Sequence, residues 1–141
     1  MQEAKPDYNA VWIVTPDVFK YFINEGARER VEMKIQSGVT YRYFVRSPVD
    51  SDKVTDLENL KKRAAEVPKR LAVQSFGEEE FNTQSATDYI IMNPSPNREH
   101  PMRVFLKLPV GQADEEYWIK VEDEAAQHFV GRFSKMWDRR S

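Results

Sequence analysis

Val11-Trp12-Ile13-Val14, "VWIV" (residues 11–14), is the stretch that decides the fold. A compact apolar run rich in β-branched residues is typical of a strand that is buried on both faces. Thr15, Pro16 and Asp17 follow it, and these residue types suit the cap, the first position and the positive dipole end of a helix. A buried strand that leads directly into a helix favours an α/β arrangement with parallel strands.

Strand and helix patterns alternate in the first half of the chain, whereas strands dominate the second half. The first helical region is predicted to run to Ser37, with a break near Asn24-Glu25-Gly26, and the second runs from Asp52 to about Ala65. The order β-α-β-α-β-β-β-β-α favours a partly parallel sheet with an antiparallel end. The later strands are predicted at Thr40 to Val45, Leu71 to Phe76, Asp88 to Met92, Arg103 to Leu108 and Tyr117 to Val121.

The C-terminal segment has the clearest helical pattern in the chain. Asp123 suits the cap, and six apolar residues follow at helical spacing: Ala126, Phe129, Val130, Phe133, Met136 and Trp137. We therefore predict an α/β (α+β) fold, with a mixed β-sheet of about six strands flanked by helices and a long C-terminal amphipathic helix. Residues 1–10 are expected to form a flexible N-terminal segment and residues 11–141 a single domain. The helix from Asp52 has its own apolar stripe, which consists of Val54, Leu57, Leu60 and Ala64.

Composition excludes several classes of function. The 141 residues contain no cysteine, which excludes disulfides, thiolate metal sites and cysteine nucleophiles. The formal net charge is -2, so no global field attracts nucleic acid or an anionic membrane. The chain has no run of roughly 20 apolar residues and no apolar core near its start, so neither a membrane helix nor a signal peptide is expected. These features predict a cytoplasmic domain without a membrane partner, which we expect to belong to a larger protein.

The stretch from Glu78 to Asn97, "EEEFNTQSATDYIIMNPSPN", contains the candidate site. Asp88 precedes a short apolar run, and a polar turn follows that run. Together with the order of elements, these residues resemble one half of the phospholipase D-like superfamily. In that family a His-x-Lys-x-x-x-x-Asp motif lies at the start of a strand and a Gly-Ser-x-Asn turn follows the strand. The C-terminal half of the family often ends in an amphipathic helix, which "FVGRFSKMW" resembles.

The resemblance implies phosphodiester transfer through a phosphohistidine in catalytic members, but this chain lacks the residues for it. When the family Asp is placed on Asp88, the Lys position falls on Thr83 and the His position on Phe81. A phenylalanine cannot attack phosphorus, and a threonine brings no positive charge. The resemblance therefore implies a non-catalytic domain with a pocket near the C-terminal ends of the central strands. The expected ligand-binding residues are Phe81, Thr83, Asp88, Asn93, Ser95 and Asn97.

Simpler explanations exist for each of these features. Asp88 also suits a residue that begins a strand or bonds a nearby backbone amide. Basic clusters occur at Lys61-Lys62-Arg63, Lys69-Arg70 and Arg139-Arg140. Together with Arg42 and Arg46 they suit contacts to phosphate, although solvated helix faces are the simpler explanation because acids are interspersed. Nucleic acid is therefore a partner that the sequence allows but does not favour.

The two histidines do not form a recognisable site. His100 lies in a polar loop, and His128 lies on the final helix outside its apolar stripe, where we expect it to face solvent. Their spacing suggests no ligand set, so no metal, no other cofactor and no catalytic residue is predicted.

Three functions follow from these observations. The first is a non-catalytic phospholipase D-like domain that acts as a ligand-sensing or regulatory module with a small-molecule or protein partner. The second is a divergent phosphodiesterase or nuclease, for which His100 is the nearest loop candidate. The third is a protein–protein interaction or dimerisation domain. Because two halves meet in the catalytic family, the resemblance also implies a homodimer.

Overall fold

The computed structural model describes residues 9–15, 18–47, 51–77, 88–96, 101–107 and 118–139. These residues form six strands, three α-helices and one short π-helical segment. The strands are β1 (Ala10–Thr15), β2 (Thr40–Arg46), β3 (Leu71–Phe76), β4 (Tyr89–Met92), β5 (Arg103–Lys107) and β6 (Trp118–Val121). The helical elements are the π-helical segment (Phe19–Ile23), α1 (Glu25–Gln36), α2 (Ser51–Glu66) and α3 (Asp123–Arg139).

The strands form one mixed sheet in the order β3-β2-β1-β4-β5-β6. β1, β2 and β3 are parallel, as expected for strands joined through helices. β4 runs antiparallel to β1, and the pairs β4–β5 and β5–β6 are antiparallel as well. The predicted mixed sheet, its parallel beginning and its antiparallel end are confirmed. β1 thus lies where the sheet changes from parallel to antiparallel pairing.

One face of the sheet packs against the first helices. This face, here called face A, carries Ile13, Tyr43 and Val45, all of them buried. α1 buries its apolar side chains there because they recur at helical spacing, and α2 does the same. The helical residues in this core are Phe22, Val31, Ile35, Leu57, Leu60 and Ala64.

The opposite face, here called face B, is covered by α3. Phe133 of α3 has no exposed surface; its ring stacks on Trp12 with 4.6 Å between centroids and meets Phe44 edge-on at 5.9 Å. Burial of one such aromatic side chain stabilises the fold by roughly 2–3 kcal/mol. Met136 and Trp137 are buried in the same cluster. The prediction that the C-terminal helix buries its apolar stripe on the sheet is confirmed.

The first helical region divides where its sequence predicts a break. Asn24 is the N-cap of α1, and its side-chain Oδ1 accepts hydrogen bonds from the backbone N–H groups of Gly26 and Ala27. The π-helical segment before it was not predicted. β1 begins at Ala10, one residue earlier than expected, whereas residues 1–8 of the predicted flexible segment lie outside the described residues.

Candidate functional site

Asp88 lies at the end of the sheet where the parallel strands have their C-terminal ends. β1 finishes at Thr15, and β4 runs in the opposite direction, so the start of β4 lies beside the end of β1. β5 also reaches this end of the sheet, because the backbone N–H of its last residue, Lys107, donates to the carbonyl oxygen of Asp88 at 3.0 Å. Asp88 therefore occupies the position that the sequence predicts for it, at the carboxyl ends of the central strands.

Two hydroxyl groups hold the Asp88 carboxylate. Thr15 Oγ1 and Tyr21 Oη each donate a hydrogen bond to Asp88 Oδ2 at 3.1 Å. Thr15 has no exposed surface and Asp88 is only 7% exposed. The π-helical segment positions Tyr21, and the hydroxyl of Tyr43 donates to the Tyr21 backbone carbonyl at 3.1 Å. Burial raises the pKa of Tyr43 well above its usual value, so its hydroxyl remains a donor.

The hydrogen bonds of Asp88 to Thr15 and Tyr21 connect parts of the fold. A threonine hydroxyl bonded to a carboxylate resembles a nucleophile with its base. Here the hydroxyl belongs to a residue with no exposed surface, at the end of the central strand. Asp88 instead ties β4 to β1 and to the π-helical segment, and we call Asp88, Thr15 and Tyr21 the carboxylate clamp.

Asn93 lies at the other end of β4. Its backbone has φ +59°, a left-handed conformation that asparagine tolerates better than most residues. The backbone N–H of Asn93 donates to Ala10 O, Oδ1 accepts from the backbone N–H of Asn9 at 2.8 Å, and Nδ2 donates to Pro101 O at 2.9 Å. Asn93 is fully buried and closes the turn after β4.

The structure does not bring Asp88 and Asn93 together. Five residue steps along a strand cover about 17 Å, so the two side chains lie at opposite ends of β4. Asp88 and Asn93 flank the same strand, so Asp88 lies beside the C-terminal end of β1 and Asn93 beside its N-terminal end. Ser95 is exposed in the turn on the Asn93 side. Phe81, Thr83 and Asn97 lie outside the described residues, and binding by any of these six residues remains a prediction.

A cleft of about 210 Å³ opens at the N-terminal ends of the neighbouring strands β2 and β3. Of the described residues that line it, three are cationic and none is acidic. Tyr41 and Leu71, which are paired on adjacent strands, are among its lining residues. The described residues that line it are Thr40, Tyr41, Arg42, Pro68, Lys69, Arg70, Leu71 and Ala72, and we call them the basic cleft.

Aromatic rings position Arg42 at the basic cleft. Its guanidinium carbon lies 5.0 Å from the ring centroid of Trp12 and 5.1 Å from that of Trp137. Phe133 stacks on each of these two tryptophans, with centroid distances of 4.6 Å to Trp12 and 5.5 Å to Trp137. On the other side of the cleft, Arg70 Nη1 donates to the backbone carbonyl of Gly38 at 2.9 Å.

The other basic cluster has a different explanation. Arg63 donates Nε and Nη2 to the two carboxylate oxygens of Glu32 at 2.8 and 2.7 Å. Its hydrogen bonds lower the pKa of Glu32, and the same pair raises the pKa of Arg63. Within the described part of the chain, Arg42, Lys69 and Arg70 have no such carboxylate partner.

The cationic residues of the basic cleft can be recognised in the sequence, but their arrangement as a cleft cannot. Lys69-Arg70 and Arg42 were recognised as basic residues that suit phosphate contacts. Their proximity depends on the parallel register that pairs Arg42 with Ala72. A parallel register that pairs residues 30 positions apart in the chain has no local signal in the sequence.

The structure offers no metal centre in its described residues. No group of three or more His, Cys, Asp or Glu side chains in those ranges is arranged to hold an ion. His128 is exposed on α3, as predicted, and His100 lies outside the described residues. No helix among the described elements has the length and apolar character needed to span a membrane.

Comparison with known proteins identifies no relative. No protein-family profile, no curated protein and no solved structure matches the chain. The phospholipase D-like resemblance therefore stays a prediction.

Proposed function

We propose that this domain is a non-catalytic binding module with phospholipase D-like architecture, which serves in ligand sensing or regulation. The carboxylate clamp is the observation that supports this proposal. Its one acid, Asp88, accepts two hydrogen bonds on the same oxygen and is almost fully buried. An acid used in this way stabilises the junction of β1, β4 and the π-helical segment.

The residues expected for phosphodiester chemistry are also missing from the sequence. Phe81 and Thr83 stand where the family has its nucleophilic histidine and its phosphate-binding lysine. The described histidine, His128, lies on α3, which packs on face B, whereas Asp88 shares face A with its partner Thr15. A nucleophile and a proton acceptor must lie within hydrogen-bond reach of each other, and these two residues do not.

Hydrolysis of bis(p-nitrophenyl) phosphate, an activated phosphodiester, tests the absence of catalysis. We expect the full chain to release nitrophenolate no faster than buffer does. Asp88→Asn and His100→Ala should behave in the same way. Turnover above the buffer rate that Asp88→Asn abolishes, without a change in melting temperature, would establish Asp88 as catalytic and refute the proposal.

We further propose that the domain forms a homodimer, which the resemblance also implies and which corresponds to the third function given above. One observation favours an interface on face A of the sheet. Strand alternation places Phe105 and Trp118 on face A, beyond the strands against which α1 and α2 pack, and both rings are only half-buried. Light scattering at micromolar concentration should give twice the mass of one chain, and Phe105→Glu should reduce it to a single chain. A monomeric wild-type protein would refute the dimer.

A further inference from the structure

We propose that the basic cleft binds the phosphate group of a small phosphorylated ligand, with Arg42, Lys69 and Arg70 as its anchors. The inference deepens the proposed binding function, on which it rests, by naming the class of ligand and the place where it binds. The site lies at the N-terminal ends of β2 and β3, far from the carboxylate clamp at the C-terminal end of β1.

The charge of the basic cleft contrasts with the charge of the whole chain. The sequence has 21 basic and 23 acidic residues, so acids are available to neutralise a cationic surface. Arg63 is neutralised in this way by Glu32. The basic cleft instead combines three cations with no acid among the lining residues that the structure describes. Cations gathered in a concave surface attract an anion more strongly than the same charges on a convex surface, because the low-dielectric walls focus the field.

Arg42 is oriented before any ligand binds. Its guanidinium lies near two tryptophan rings that are themselves held in the core by Phe133. Cation–π contacts engage the face of the guanidinium and leave the N–H groups at its edge available for hydrogen bonds. A planar fork of N–H donors matches the oxygens of a phosphate, and less entropy is lost when the fork is already fixed.

Arg70 is held by the turn that follows α1. Gly38 adopts φ +99°, a left-handed conformation that suits glycine, and its carbonyl accepts from Arg70 Nη1. An arginine has five N–H donors, so this single bond leaves further donors for a ligand. Lys69 precedes it in the chain, is exposed and adds a third positive charge at the rim.

The size of the basic cleft favours a small ligand over a polymer. Its 210 Å³ corresponds to about seven water molecules at roughly 30 Å³ each. This volume suits one or two phosphate groups with a small attached moiety, and it is below the roughly 300 Å³ at which pockets for larger organic ligands begin. A single-stranded nucleic acid requires a groove that follows several nucleotides.

Calorimetric titration of the full chain with inorganic pyrophosphate, at fixed ionic strength, tests the inference. The test variant is Lys69→Gln/Arg70→Gln, and the matched control is Lys61→Gln/Lys62→Gln on α2. Each variant removes two positive charges from exposed residues, so neither should disturb the core. We expect equal affinity for wild type and control, and about tenfold or greater loss for the test variant, since charged hydrogen bonds are removed.

The other outcomes are equally informative. Equal weakening in both variants would show a general charge effect and overturn the inference, as would the absence of pyrophosphate binding to wild type. A short single-stranded oligonucleotide forms a second arm: tighter binding than pyrophosphate that depends on Lys69 and Arg70 would overturn the small-ligand assignment. Ester turnover is measured on the same preparations. Turnover with intact pyrophosphate binding contradicts only the non-catalytic proposal, whereas inactivity without binding contradicts only the cleft inference.

Discussion

Substitution of Asp88 by alanine should destabilise the fold by roughly 3 kcal/mol. Hydrogen bonds to charged groups contribute about 1.5–3 kcal/mol each, and the two distances of 3.1 Å are long for a hydroxyl and a carboxylate, which favours the lower value for each. The loss is greatest at Thr15, since that hydroxyl is buried and loses its carboxylate acceptor. Tyr21 is only partly buried and can turn toward water at lower cost.

Urea denaturation followed by circular dichroism measures this loss directly. Unfolding entropy for a chain of this length is about 0.3 kcal/mol/K, so the melting temperature of Asp88→Ala should fall by roughly 10 °C. Asp88→Asn keeps an oxygen acceptor but loses the charge, and it should cost about half as much. Asp138→Ala, which removes an exposed carboxylate from α3, should change stability by less than about 0.5 kcal/mol.

A double-mutant cycle separates the clamp from general effects at Asp88. Thr15→Val removes one donor with little change in shape, and combined with Asp88→Ala it should show a coupling energy of about 1–1.5 kcal/mol. The clamp would be refuted if Asp88→Ala cost less than about 0.5 kcal/mol or if the two substitutions were additive.

Three further predictions concern pH and the turn after β4. Because Arg63 lowers the pKa of Glu32, its stabilisation is present above the ordinary value of 4.5 and is lost as pH falls; Glu32→Gln should cost about 1 kcal/mol at neutral pH in urea titrations and nothing in strong acid. Burial raises the pKa values of Tyr43 and Tyr89, so the contribution of these two tyrosines to stability should be constant below about pH 10 and fall above it, with phenolate absorbance from both rings appearing only on unfolding. Asn93→Ala loses two side-chain hydrogen bonds and strains the backbone, which should cost about 3 kcal/mol by thermal melting, whereas Asn93→Gly avoids the strain and should cost about 1–2 kcal/mol.

Each of these predictions has an outcome that contradicts it. A Glu32→Gln cost that stays constant into strong acid would show that the ion pair with Arg63 contributes nothing. Ionisation of all tyrosines near pH 10 in the folded protein would contradict the burial of Tyr43 and Tyr89. Equal losses for Asn93→Ala and Asn93→Gly would show that the left-handed backbone carries no strain.

The strands could be predicted because each has a local signal. β3 occupies the predicted residues, Leu71–Phe76, since an apolar run there lies between a proline turn and a glycine. Asn24 gave the break before α1 because its side chain caps the helix. The π-helical segment could not be predicted, since five residues are too few to distinguish its period from that of an α-helix.

Periodicity identifies the buried face of a helix but not where its burial ends. Val54 was expected in the apolar stripe of α2, yet it is 41% exposed. It lies in the first turn of the helix, one turn before Leu57, which is the first buried residue of α2. The extent of the surface that a helix covers is a tertiary property, so an apolar residue near a helix end can remain outside the core.

The candidate sites depend on contacts that are distant in sequence. Asp88 could be recognised as an acid before a strand, but its partners Thr15 and Tyr21 are 73 and 67 residues away. No local pattern indicates such a clamp. Asn93 was expected at a ligand pocket from the phospholipase D-like resemblance, whereas its side chain bonds the backbone of Asn9 and Pro101.

The central claim is that this domain binds an anion at its basic cleft and uses Asp88 only for support. The most direct test is a titration with pyrophosphate followed by the amide chemical shifts of the isotopically labelled full chain. We predict shifts concentrated at Thr40 to Arg42 and Lys69 to Ala72, with the amides of Thr15, Asp88 and Tyr89 unchanged. Shifts centred on Thr15 and Asp88 would contradict the account, because they would place the ligand at the carboxylate clamp.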